Sequence, residues 1–209
     1  MARRRSLEDA LDDVVEAARR LIGCYLVRNG AAGRRMVRIV ETEAYPHDDP
    51  ACHAYSGLTA RNRSMFGPAG RAYVYRIHRS YCLNVVTGPI GRGEAVLIRA
   101  VQPVEGLELM EAARRASTVG ARPPTGESLA NGPGKLCQAL DINLALDGID
   151  LLSCHGDPEL CLLEGDDVRE IAVTPRIGIS KSTDAMLRFT DGRSRWVSRR
   201  RNAGAGAPS

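Results

Sequence analysis

The spacing of apolar side chains changes period several times along the chain, and each change predicts an element. Leu7, Leu11, Val14, Val15, Ala18, Leu21 and Ile22 recur at helical spacing, which predicts one packing helix with Ser6 as N-cap and Gly23 as its stop. Residues 24–28 read as a strand, 29–33 as a turn, and 35–45 as the partner strand of a hairpin. From 46 to 70 no period survives, so a long loop is expected, and loops of that length in compact domains commonly carry function. A second hairpin follows: Tyr73, Tyr75 and Ile77 share one face of a strand over 70–77, His78-Arg79-Ser80 is a polar break, and 81–86 resumes strand character. Residues 94–101 give the strongest strand pattern, apolar apart from its first residue and Arg99. Pro103 is placed at the opening of a helix carrying Leu107, Met110 and Ala113. Residues 116–130 read as a flexible Ser/Thr/Gly/Pro-rich stretch, 133–140 as a short helix, and 160–163, 171–173 and 186–189 as strands. Residues 199–209, opening on three arginines, read as a basic, disordered tail after a single domain over 1–198.

The stretch over 39–45, Ile-Val-Glu-Thr-Glu-Ala-Tyr, breaks this pattern by placing two carboxylates in a β-branched strand. Strict alternation puts Glu41 and Glu43 on the face of Val37 and Ile39, with Val40 and Thr42 on the other. If Val37 and Ile39 face the core, the acids are led towards its rim. The plainer alternative is a strand running out into solvent with both acids hydrated.

Composition narrows the setting. A chain of 209 residues that is 44% hydrophobic can bury a sizeable core, and that length suits one domain. No apolar run is long enough to span a bilayer, and the Met-Ala-Arg-Arg-Arg-Ser start lacks the apolar segment of a signal peptide, so a cytoplasmic protein with no membrane partner is expected. Six cysteines without a Cys-x-x-Cys pair are expected to be reduced and structural. The formal charge of +4 comes almost wholly from arginine, Lys135 and Lys181 being the lysines, and it permits a nucleic-acid partner without requiring one.

Several constellations compete for the chemistry. His47, Cys52 and His53 match no common zinc spacing. Gly132-Pro133-Gly134-Lys135 lacks the first half of a phosphate loop and its hydroxyl residue, and reads as a helix start at which Lys135 could meet a DNA phosphate. The pair Glu41 and Glu43 invites comparison with glycosidases and two-metal nucleases, and pairing alone does not choose between them. Aromatic residues are only 4% of the chain, yet Tyr45, Tyr55, Tyr73, Tyr75 and Tyr81 gather around the acids with His53 and His78. Any one of these tyrosines alone is more often ordinary strand packing. Flat side chains, a carboxylate and nearby arginines together suit an enzyme that holds a flipped base, activates water and grips a backbone.

At this point separate blocks carry a resemblance. Glu-Thr-Glu-Ala-Tyr over 41–45, His53, Arg61-Asn62-Arg63-Ser64-Met65-Phe66, Tyr73-Val74-Tyr75, Leu83-Asn84-Val85, Val96 to Ala100, Gly132 to Leu140, and Trp196-Val197-Ser198 after Leu187-Arg188-Phe189 resemble, in order, the alkyladenine or methylpurine DNA glycosylase family. The resemblance implies an α+β protein: a single compact mixed domain with a curved, largely antiparallel sheet, flanking helices and a protruding DNA-inserting β-hairpin. It implies no metal and no cofactor, a monomer, and double-stranded DNA containing damaged purines as partner. By position, Glu43 would be the general base and Arg99 would help place the attacking water. Tyr45, His53 and Tyr75 would enclose the purine, Asn84 would screen against the amine of normal guanine, and Glu41 would be structural. At the hairpin tip the family often has an intercalating tyrosine, whereas this chain has His78 in a turn one residue shorter. His78 is therefore the expected wedge, with Arg79, Tyr81, Arg61, Arg63 and Lys135 as further DNA contacts. Two rival classes stand beside this reading: a non-catalytic nucleic-acid-binding module, and a metal-dependent hydrolase using Glu41, Glu43, His47 and His53.

Overall fold

One long strand, β2 (Gly33–Tyr45), organises the molecule because three neighbours pair with it. The computed structural model describes residues 6–117 and 124–198, so the expected tail over 199–209 lies outside the described residues. One edge of β2 is taken by β5 (Ala95–Glu105). The other is divided: β1 (Tyr25–Gly30) pairs with residues 33–38 and β8 (Arg188–Asp191) with residues 41–43. Beyond β5 lie β4 (Ser80–Val86) and then β3 (Ala72–Ile77), beyond β1 lies β6 (Leu160–Leu163), and beyond β8 lies β7 (Ile171–Thr174). Every pairing is antiparallel. With helices α1 (Leu7–Ala10), α2 (Val14–Leu21), α3 (Leu107–Ser117) and α4 (Pro133–Ala139), the class is α+β with a curled antiparallel sheet, as expected.

The two faces of this sheet have different roles. Leu11, Ala18 and Leu21 of the N-terminal segment, Met110 of α3 and Leu136 of α4 join Val37, Ile39, Val96 and Ile98 in the main core on one face. Burial of such apolar side chains, roughly 1.5–3 kcal/mol each for the larger ones, is the term that orders the sheet. The second face carries a smaller cluster of Cys52, Ala54, Met65, Tyr73, Val86 and Ala95, against which Tyr45, Phe66 and Tyr75 pack. The aperiodic segment over 46–70 is thus the cover of the second face, with one short 3₁₀ turn at Arg63–Phe66.

Four local expectations change. The predicted N-terminal helix is two helices, because the Asp13 side chain accepts from the N–H groups of Val15 and Glu16 and starts a new one; Ser6 caps α1 as expected. Pro103 does not open a helix. Strand β5 runs on to Glu105, and Pro103 lies at a register shift, where the ladder tolerates a residue without an N–H. Helix α3 begins after Gly106, whose φ of 74° ends the strand. Within the stretch expected to be flexible, residues 118–123 lie outside the described residues, while Leu129 and Ala130 are buried. The last strand begins two residues later than predicted, leaving Met186 exposed.

Candidate active site

The acids of β2 reach their positions through two irregularities in its ladder with β5. Ile39 faces Val101 and Glu41 faces Ala100, so Val40 is an extra residue on β2; Thr42 then faces Ile98, so Arg99 is an extra residue on β5. A bulge resets the alternation that a regular strand enforces. After it Thr42 faces the main core, donating its hydroxyl to the Ala18 carbonyl at 2.8 Å, and Ala44 joins that core. Glu41 and Glu43 therefore leave the face of Val37 and Ile39 for the opposite one, contrary to strict alternation. Neither acid is hydrated: both are 0% exposed.

Buried carboxylates must be partnered, and the two are partnered differently. Glu41 accepts from Arg99 Nε (3.0 Å), Arg188 Nε (2.7 Å), and the Ser198 N–H (2.5 Å) and hydroxyl (2.7 Å). Glu43 accepts from the Ile177 N–H on one oxygen (2.8 Å) and from the Tyr45 hydroxyl (2.9 Å) and an Arg99 terminal nitrogen (3.2 Å) on the other. Burial pushes the Glu43 carboxyl above the usual carboxylate range, opposed by the Arg99 charge and the bonds from Ile177 and Tyr45. Arg99 bridges both acids and also donates to the Ile177 carbonyl at 3.2 Å.

The three donors of Glu43, Tyr45, Arg99 and Ile177, line a cleft of about 220 Å³ together with His53, Tyr75 and Asn84 among others. That is below the ~300–1,000 Å³ of sites for drug-sized ligands and suits one flat heterocycle. The predicted alternation brings Tyr73, Tyr75 and Ile77 to this wall. The rings of His53 and Tyr75 meet edge to face with centroids 4.5 Å apart, and His53 Nδ1 lies 3.0 Å from the Tyr73 hydroxyl. Burial, with the Arg61 charge, holds the imidazole below its usual range and so neutral near pH 7. The Asn84 amide donates to the Tyr73 carbonyl at 3.0 Å, which fixes its rotamer. His47 points elsewhere, towards Glu94, and among the described residues no group of three or more His, Cys, Asp or Glu side chains is placed to hold a metal ion.

A second cleft of about 460 Å³ shares the His53, Tyr73 and Tyr75 wall and opens between Arg61 and the tip of the β3–β4 hairpin. The tip is a two-residue turn, Ile77 facing Ser80, with His78 at φ 49° and both His78 and Arg79 exposed. Arg61 donates to the Arg76 carbonyl (3.2 Å) and Arg76 to the His78 carbonyl (3.2 Å), a chain that braces the turn. Arg63 is exposed nearby in sequence. Two other predicted DNA contacts are placed differently. Tyr81 lies on the opposite face of the hairpin, packed against the main core, and the Lys135 ammonium donates to Asn131 at 2.7 Å on α4. Helix α4 is itself tied to the hairpin, since Ser80 donates to the Gly134 carbonyl at 2.9 Å.

Sequence reasoning missed Arg176, Ile177, Arg188 and Ser198. Ile177, Arg188 and Ser198 hold the acids from positions more than 130 residues away, Arg176 donates to the Ala44 carbonyl beside them, and no local period marks the segment between β7 and β8 that carries Arg176 and Ile177. Its only cue was the Pro-Arg-Ile-Gly-Ile run, whose Ile177, Gly178 and Ile179 line the cleft.

A buried carboxylate held by residues that line an aromatic, base-sized cleft, with the exposed His78 and Arg79 of a hairpin turn nearby, suits an enzyme that works on a nucleobase taken out of its stack. The model of the methylpurine-DNA glycosylase family matches residues 8–195, and the chain belongs to that family. It is 49% identical over 199 residues to a protein of Methanoculleus marisnigri, covering 90% of this chain and 95% of the relative. It is 46% identical over 191 residues to one of Carboxydothermus hydrogenoformans (90% and 95% covered), and 45% identical over 193 residues to one of Granulibacter bethesdensis (91% and 85%). All three relatives carry 3-methyladenine DNA glycosylase as their provisional name.

Proposed function

We propose that this base-excision-repair glycosylase flips alkylated or deaminated purines out of duplex DNA and hydrolyses their N-glycosidic bond, leaving the abasic site intact, as a monomer. The observation that carries the reading is Glu43: a fully buried carboxylate held by Ile177, Tyr45 and Arg99, all three of which line an aromatic cleft. In this reading Glu43 removes a proton from the attacking water and, ionised, stabilises the sugar as it becomes oxocarbenium-like. Arg99 orients the carboxylate, and Tyr45, His53 and Tyr75 enclose the purine. A purine alkylated at N3 or N7 is cationic, leaves readily, and asks little of a general acid. Asn84 screens out the amine of normal guanine. His78 enters the stack at the hairpin tip, with Arg79, Arg61 and Arg63 on phosphates; Tyr81 supports the hairpin from behind and Lys135 stands at its base. Among the described residues no lysine lines the cleft, which supports hydrolysis rather than strand cleavage through an imine.

The test incubates the protein with duplexes carrying hypoxanthine or 7-methylguanine, with chelator present, and then cleaves abasic sites with alkali. Strand breaks that persist in chelator and vanish with Glu43→Gln are expected. Binding without breaks, or breaks that need added metal, would overturn the reading in favour of a binding module or a metal-dependent hydrolase.

A further inference from the structure

Tyr45 lines the cleft, and one face of its ring is covered by a residue that does not. That residue is Arg176, its guanidinium 4.6 Å from the ring centroid and its side chain 0% exposed. Arg176 donates to the Ala44 carbonyl at 2.9 Å and is ion-paired with Asp49, which is itself buried. Asp49 accepts from the Ala51 N–H at 2.8 Å, in the segment that carries His53. This staple joins the end of β2, the cover of the second face, and the segment whose Ile177 holds Glu43. Packing alone does not call for charge here, since a well-packed apolar replacement for a buried ion pair is often neutral in stability. What a charge adds is a field on the ring. An aromatic face attracts a cation through its quadrupole, and a ring already carrying a guanidinium on one face attracts a second cation on the other less strongly.

We propose that Arg176 and Asp49 are specificity-determining residues behind the cleft wall: Arg176 weakens, and Asp49 restores, the attraction of the Tyr45 ring for a positively charged purine relative to a neutral one of the same shape. The inference rests on the glycosylase reading above. Because the partners carry opposite charge, their removal acts in opposite directions on selectivity, whereas loss of a purely structural staple acts in the same direction for both.

The experiment measures affinity for two duplexes in the Glu43→Gln background. One carries 2′-fluoro-7-methylguanine, which is cationic, and the other its 7-deaza-7-methyl counterpart, which is neutral and nearly isosteric. Adding Arg176→Met is expected to raise the cationic-to-neutral affinity ratio by about threefold or more, and adding Asp49→Asn to lower it by a similar factor. Arg176→Lys, which keeps the charge, is expected to leave the ratio nearly unchanged. If Arg176→Met does not fold, Asp49→Asn decides alone: a lowered ratio supports the proposal, and an unchanged or raised one overturns it. Equal shifts in both variants also overturn it. The chain with Glu43 intact is assayed alongside for release of damaged purines. Release with an unmoved ratio removes this inference only; no release removes the glycosylase reading and this inference with it.

Discussion

Glu41 and Glu43 stand two residues apart on one strand, equally buried, yet their loss is expected to have opposite consequences. Four donors converge on Glu41, so Glu41→Ala leaves two buried arginines and the Ser198 N–H short of a partner and is expected to cost about 3–5 kcal/mol, read by chemical denaturation. Burial raises the folded pKa of Glu43. For such a group the stabilising form is the protonated one, present at low pH and lost as pH rises through the folded value. At neutral pH its ionised form weighs against the fold, so Glu43→Gln is expected to leave the Tm unchanged or slightly higher while lowering excision by at least ~100-fold. The same shift predicts the pH profile: a base must be ionised, so the rate on a hypoxanthine duplex is expected to fall as pH drops through a value above the ordinary glutamate range. His53 titrates below its usual range, and His53→Gln is expected to retain that acidic limb at a lower rate. A limb that vanishes with His53 would reassign it. Which acid was which could not be read from Glu-Thr-Glu alone, because the difference lies in the partners Arg188, Ser198 and Ile177.

The elements were legible wherever local pattern decides them. The helix over 133–140, the strand over 160–163 and the shared face of Tyr73, Tyr75 and Ile77 follow from period and capping, and the structure places them close to where the pattern does. The bulge at Val40 was not legible, since an extra residue in a ladder exists only relative to the strand opposite. Pro103 misled for a related reason: its missing N–H is compatible with a helix start and with a register shift alike. The cover segment owes its shape to a side chain no periodicity reveals. Buried Asn62 donates to the carbonyls of His53 and Gly57 and accepts from the N–H and hydroxyl of Thr59, making it the hub of residues 53–62. Asn62→Ala is expected to destabilise by about 1–3 kcal/mol and to speed hydrogen exchange across 53–62 first, with the sheet amides unaffected. Uniform exchange across the molecule would show that the hub is not local.

At the scale of the whole molecule, the polar features divide by distance from the acids. Exposed Arg63 and Arg79 form none of the hydrogen bonds described in the cleft, and as the phosphate contacts proposed above each would add to affinity through counterion release. Alanine at either is expected to reduce the slope of log affinity against log salt by about 0.9, with the single-turnover rate at saturating protein unchanged. A rate loss without a change in slope would place that arginine in the catalytic step instead. Arg61 is expected to behave differently, because it braces Arg76, adds to the effect of burial in lowering the His53 pKa, and faces the second cleft.

The divided edge of β2 has a consequence for how the protein is made. Its acids are synthesised early, but three of the groups that hold them, Ile177, Arg188 and Ser198, are added more than 130 residues later. Until then Tyr45 and Arg99 are the donors available to the two carboxylates, and Glu43 lacks its backbone N–H partner. If Glu43 is the base proposed above, a chain that stops before residue 177 is expected to release no damaged purine, which an excision assay on the truncated protein checks.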